Sequence, residues 1–188
     1  MSYKNVFTII IVVCIAFYMF ANYQYPEYGL ASSVYGLQRN LVFENGEYYR
    51  IFTYFFMHAD WMHLFVNMLA LNVLSSAVVR FIDVKFSLIV YMVAGILGAF
   101  IVMFVTDFIT VGASGAIYSM FGMIIYFAYK QYRAGYDEVL KSILPILLIN
   151  LMISFMPGIS FEGHLSGFVI GLIGAFIYDK MQRRKMIY

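Results

Sequence analysis

A serine stands between two glycines in Val111-Gly112-Ala113-Ser114-Gly115-Ala116-Ile117-Tyr118, where a polar loop gives way to an apolar helix. A hydroxyl in apolar surroundings is tolerated when it caps a helix or hydrogen-bonds a neighbour, and one reading of Ser114 is such a cap. The other reading is a nucleophile. Its base would be His164 in Gly163-His164-Leu165-Ser166-Gly167, the only histidine in the C-terminal half and again at the head of an apolar run. Nucleophile and base must lie within hydrogen-bond reach, so the helices that carry them must touch. Gly163, Gly167, Gly171 and Gly174 recur at helical spacing behind His164, and Gly115, Ser119 and Gly122 do so behind Ser114. Small residues in that pattern let two helices meet backbone to backbone.

The remaining histidines fall in His58-Ala59-Asp60-Trp61-Met62-His63-Leu64-Phe65-Val66-Asn67. His63 and Asn67 are four apart and share a helix face, whereas His58 sits just ahead of the helix. Three histidines could ligate zinc, but the H-E-x-x-H spacing is absent, and Asn67 is a poor zinc ligand and a good amide donor. Donors aimed at a developing oxyanion are what an acyl-transfer site needs beyond its nucleophile and base. A bis-histidine haem fits less well, because these histidines lie near helix starts. The reading is therefore a site with no metal and no cofactor.

The elements that must position these groups are membrane helices. At 63% hydrophobic, 12% charged and a mean hydropathy of +0.83, the chain lacks the polar surface that a soluble globule needs. Its 188 residues suit a single membrane-embedded domain over 1–188, all-α, whose helices bury a polar interior among themselves. A net charge of +2 without a basic stripe argues against nucleic acid. The lone Cys14 excludes a disulfide framework.

Val6 to Phe20 is span one; its exit, Tyr18-Met19-Phe20-Ala21-Asn22-Tyr23, is too bulky for a signal-peptidase site. Pro26 to Arg50 forms a long apolar connection expected to lie on the membrane interface with structure of its own. Further spans are read at Trp61 to Phe81, Phe86 to Val105, Ser114 to Tyr129, Ile143 to Phe155 and His164 to Tyr178. With the N-terminus cytoplasmic, the inner segments hold Lys4, Arg80, Lys85, Lys130, Arg133, Lys141, Lys180, Arg183, Arg184 and Lys185, and the outer ones only Arg39 and Arg50. Both termini are then cytoplasmic, and Ser114 and His164 start spans at the outer face. Span four, Ser114 to Tyr129, gives only about 24 Å of helix against a hydrocarbon core of about 30 Å. Residues 106–113 are therefore expected to form a re-entrant loop that delivers Ser114 below the membrane plane.

The set Tyr49-Arg50, His58-x4-His63-x3-Asn67, Gly112-x-Ser114-Gly115-x-x-Tyr118 and His164-x-x-Gly167-x3-Gly171 resembles the rhomboid intramembrane serine proteases, in that family's order and spacing. The resemblance implies a six-transmembrane-helix bundle in a bacterial plasma membrane, with an active site open to the extracytoplasmic side. It implies Ser114 as nucleophile and His164 as general base without an acidic third member. It further implies His63, Asn67 and the Ser114 amide as the oxyanion hole and Tyr118 stacked on the imidazole, with Arg50, Gly112, Gly115, Gly167 and Gly171 in support. Tyr49 stands where the family usually has Trp, and Gly163 where it often has Ala. The implied partners are the lipid bilayer and transmembrane protein substrates, which must unwind from helix to be cut. Asp60 and Asp107 are read as solvated loop-edge carboxylates. Two other functions stay open on sequence grounds: a catalytically silent relative that binds membrane clients, and a transporter. Span five, rich in Leu, Ile and Met and lacking a glycine seam, is expected to be the displaceable wall beside which a substrate helix enters, facing span two.

Overall fold

The structure, a computed structural model, describes residues 3–156 and 158–185. Among these the ordered elements are helices: α1 (Tyr3–Gln24), α2 (Leu30–Tyr35), α3 (Arg39–Phe43), α4 (Arg50–Phe56), α5 (Trp61–Val78), α6 (Val84–Val105), α7 (Ser114–Arg133), α8 (Glu138–Ile153) and α9 (Phe161–Lys185). Four stretches, Val6–Gln24, Trp61–Val78, Val84–Val105 and Phe161–Arg184, are long and apolar enough to cross a bilayer. The protein is an all-helical, multi-pass membrane protein.

Helix starts follow local chemistry. Asp60 accepts the His63 N–H at 2.8 Å and Asp83 accepts the Phe86 N–H at 2.9 Å, so each satisfies one of the free donors at its helix N-terminus. Asp60 is thus an N-cap instead of a free carboxylate. Ser160 Oγ accepts the Gly163 N–H at 3.1 Å, which starts α9 at Phe161. His164 therefore lies inside the first turn, three residues later than the apolar run alone suggests.

α7 also departs from expectation. It runs 20 residues, about 30 Å, because a last turn carrying Lys130 and Arg133 extends past the apolar stretch. A short span four is thus not the reason for a dipping loop. The backbone of residues 106–113 is nonetheless irregular, and several of its polar groups are met by protein. Leu37 and Thr110 exchange N–H···O bonds of 2.8 and 3.0 Å, and the Gly112 N–H donates to the Tyr54 carbonyl at 2.8 Å. Non-helical backbone in apolar surroundings needs such partners.

α7 is the centre of the bundle, its residues Ala116 to Ile124 buried, with α5, α6, α8 and α9 packed around it. The connection expected to have its own structure folds into α2 and α3. Arg50 ties it down, donating to the Ser33 and Gly36 carbonyls at 2.8 and 2.7 Å and pairing with Glu47 at 2.6 Å. At the opposite end from Ser114, Asp179 of α9 binds Lys130 at 2.5 Å and accepts the Tyr126 hydroxyl at 3.0 Å. α8 packs chiefly on α7 and carries Pro145 inside it. Its aliphatic residues Ile146, Leu148 and Ile149 are exposed on the bundle surface.

Candidate active site

The seam predicted between the helices of Ser114 and His164 is present as main chain against main chain. A Cβ on Gly167 would overlap the Gly115 carbonyl oxygen, one on Gly171 the Ser119 carbonyl oxygen, and one on Gly122 the Phe168 carbonyl oxygen. Gly115 itself faces the Gly163 carbonyl, with a Cβ there 3.2 Å away. Gly174 does not belong to the seam. It faces Val90 of α6, because the helix has turned away by that point.

Ser114 is the first helical residue of α7, and the cap position is Ala113, which makes no side-chain capping bond. The capping reading of Ser114 therefore fails. Among the described residues its hydroxyl has no hydrogen-bond partner, His164 included. Ser114 and His164 do line the same cavity of about 1320 Å³, together with His63, Asn67, Gly112 and Tyr118. The first intrahelical bond of α7 runs from Ile117 N–H to Ala113 O, which leaves the amides of Ser114 and Gly115, two cavity-lining residues, outside the helix ladder.

His63 is held by Ala59, whose N–H points at Nδ1 at 3.5 Å, a long bond that places the ring proton on Nε2. That nitrogen faces Gly112: a Cβ on Gly112 would come within 2.9 Å of His63 Nε2 and 3.9 Å of Ser114 Oγ. Gly112 also has φ +118°, a region L-residues rarely adopt. Two independent reasons thus require glycine there. Asn67 Nδ2 donates one N–H to the His63 carbonyl at 2.9 Å and keeps a second. His58 is fully buried, donates Nδ1–H to the Phe56 carbonyl at 3.2 Å and meets the His63 ring edge-on at 5.1 Å. Among the described residues no three His, Cys, Asp or Glu side chains converge as metal ligands.

The His164 ring stacks on Tyr118, centroids 4.1 Å apart and planes 9° from parallel. Its Nδ1 is 2.6 Å from the hydroxyl of Ser154, just past the end of α8. Sequence reasoning missed Ser154. The signal was present: Asn150 and Ser154 are four apart, so two polar groups share a face of an otherwise apolar helix. Met156, Gly158, Ile159, Ser160 and Glu162, around the start of α9, also line the cavity; Pro157 lies outside the described residues. Arg50 acts at a distance, through the connection that carries Leu37 to Thr110.

The sequence profile of the Rhomboid domain matches residues 45–180. The chain is 30% identical over 142 residues to rhomboid protease GluP of Bacillus subtilis, covering 75% of this chain and 28% of GluP. It is 31% identical over 150 residues to YdcA of the same bacterium, covering 78% of this chain and 75% of YdcA. RHOMBOID-like protein 1 of Arabidopsis thaliana is 29% identical over 146 residues, 76% of this chain and 37% of the plant protein. The profile runs from the connection before Arg50 through both halves of the glycine seam and every residue of the cavity named above, and by that match the chain belongs to the rhomboid family.

Proposed function

We propose that the protein is an intramembrane serine protease that hydrolyses peptide bonds in or near transmembrane helices, with Ser114 as nucleophile and His164 as general base. The observation that carries this reading is the state of the two side chains. Ser114 Oγ is committed to no intrachain bond, and His164, stacked on Tyr118, spends only Nδ1 on protein while sharing the cavity wall with Ser114. Nucleophile–base bonds are often long in a resting enzyme and tighten only when substrate binds.

In the proposed reaction, His164 Nε2 takes the Ser114 proton as Oγ attacks the scissile carbonyl. The oxyanion is received by His63 Nε2–H, the free Asn67 N–H and the Ser114 amide at the positive end of α7. The imidazolium then gives its proton to the leaving amine, and water hydrolyses the acyl-enzyme. Six helices, α1 and α5 to α9, would cross the membrane, with both termini cytoplasmic and the cavity open to the extracytoplasmic side. The clustering of Lys130, Asp179 and Arg183 at the end remote from Ser114 supports that orientation.

A substrate helix would reach the site between α5 and α8. Both helices line the cavity, through Val66, Asn67 and Ala70 on one side and Asn150 and Ile153 on the other. The deciding experiment is cleavage of a model transmembrane substrate in proteoliposomes with labelling of the serine by a fluorophosphonate. Ser114→Ala and His164→Ala should each abolish cleavage while the protein still inserts, and Ser114→Ala should abolish labelling. Cleavage retained by the serine variant would sink the proposal.

A further inference from the structure

The hydroxyl of Ser154 has three partners. It lies 2.8 Å from the Asn150 carbonyl, 3.0 Å from the Tyr118 hydroxyl and 2.6 Å from His164 Nδ1, and the residue is only 1% exposed. A serine hydroxyl has one proton to donate and two lone pairs to accept with. A carbonyl can only accept, so the Ser154 proton goes to Asn150. Both lone pairs are then acceptors, and Tyr118 and His164 must each donate to them. No other assignment of protons keeps all three contacts.

We propose that Ser154 is a positioning residue for the general base: by accepting Nδ1–H, it holds His164 in the tautomer whose Nε2 is free to take the Ser114 proton. The proposal rests on the protease reading and adds to the Ser114–His164 pair a third, uncharged member. The Tyr118 ring fixes the plane of the imidazole by stacking, and Ser154 fixes its rotation within that plane. When Nε2 takes the serine proton both ring nitrogens carry N–H, so the Nδ1–H bond to Ser154 persists and strengthens as positive charge builds. No group other than Ser114 gains or loses a proton to the ring in that step. Because Ser154 sits at the end of α8, the base is oriented by a different helix from the one that carries it.

The test uses the full-length protein in detergent micelles with nitrogen-15-labelled histidine, and the His164 resonances are assigned by difference from His164→Ala. In the resting wild type, Nδ1 should be the protonated nitrogen and Nε2 the bare one. Ser154→Val should move the ring toward a mixture of tautomers. Ser154→Thr and Ser154→Val have nearly the same shape, so their comparison isolates the hydroxyl from packing. The Thr variant should exceed the Val variant in kcat by about tenfold or more at similar KM, as for loss of a hydrogen bond to a group that becomes charged. A wild-type His164 protonated on Nε2, or a valine variant with the wild-type tautomer, would overturn the proposal. So would equal kcat in the two variants. Failure of the protease reading is told apart by Ser114→Ala: if that variant still cleaves, the protease reading falls, while the tautomer spectrum continues to judge Ser154.

Discussion

Gly112 joins two requirements in one residue: a backbone angle that disfavours any Cβ, and a space into which His63 Nε2 is packed beside Ser114 Oγ. If His63 and Asn67 each supply one oxyanion donor, His63→Ala and Asn67→Ala should lower kcat by up to about 10²–10³ with little change in KM. Steady-state kinetics on a transmembrane substrate checks this, and a raised KM with unchanged kcat would reassign the two residues to substrate binding. Gly112→Ala should resemble His63→Ala, since it displaces that ring. The polar members of the cavity were legible in the sequence because chemistry restricts their types and the helix repeat restricts their spacing. Ser154 was not read, because its partners His164 and Tyr118 come from two other helices and only tertiary packing brings them to it.

At the scale of elements, the contact between α7 and α9 is the least forgiving in the molecule. Gly167→Ala and Gly171→Ala each drive a methyl into a carbonyl of the opposite helix, so each should destabilise the protein by about 1–3 kcal/mol or more. Gly174→Ala meets the Val90 side chain, with both methyls within 3 Å of the added Cβ, and should be milder only because a side chain yields where main chain cannot. Thermal unfolding in detergent should rank the three accordingly. The glycine repeat disclosed this seam in advance but could not show where α9 turns away from α7. The start of α9 at Phe161 was equally legible in principle from Ser160, whose hydroxyl caps it. α8 contrasts with the seam: it has no glycine run against α7, and its C-terminal end is held by the Ser154 bonds to Tyr118 and His164 and by the Phe155–Phe161 stack at 4.5 Å. If α8 is the displaceable wall, Phe155→Ala or Met152→Ala should maintain or raise turnover of a transmembrane substrate. A disulfide joining α5 to α8 should suppress turnover until it is reduced, and unchanged cleavage with the crosslink in place would refute that route.

The molecule as a whole divides into a bundle and a strap. The strap, from Pro26 to α4, is fixed by Arg50 and Glu47 and in turn fixes the loop before Ser114 through Leu37–Thr110 and Tyr54–Gly112. Hydrogen bonds from Tyr49 and Arg50 hold the Glu47 carboxyl below its ordinary range. A carboxylate whose folded pKa is depressed stabilises the fold above its unfolded pKa, and that contribution is lost as pH falls through the folded value. Limited proteolysis of the strap should therefore accelerate on acidification below the usual carboxylate range, and Glu47→Gln should be equally susceptible above and below it. The apolar character of this connection was readable, but the clamp was not, since Arg50 reaches carbonyls of residues 33 and 36 that only the fold brings near.

The α7–α9 joint has a consequence for descent with change. Main-chain atoms are common to every sequence, so a joint made from them places no demand on side chains except smallness at a few positions. Ile146, Ile149, Val169 and Ile173, turned outward on the same bundle, need only remain apolar. Mutational drift can rewrite such a surface without moving Ser114 relative to His164. An identity of 30% to GluP over three quarters of this chain is the degree of divergence that such a division of labour accommodates.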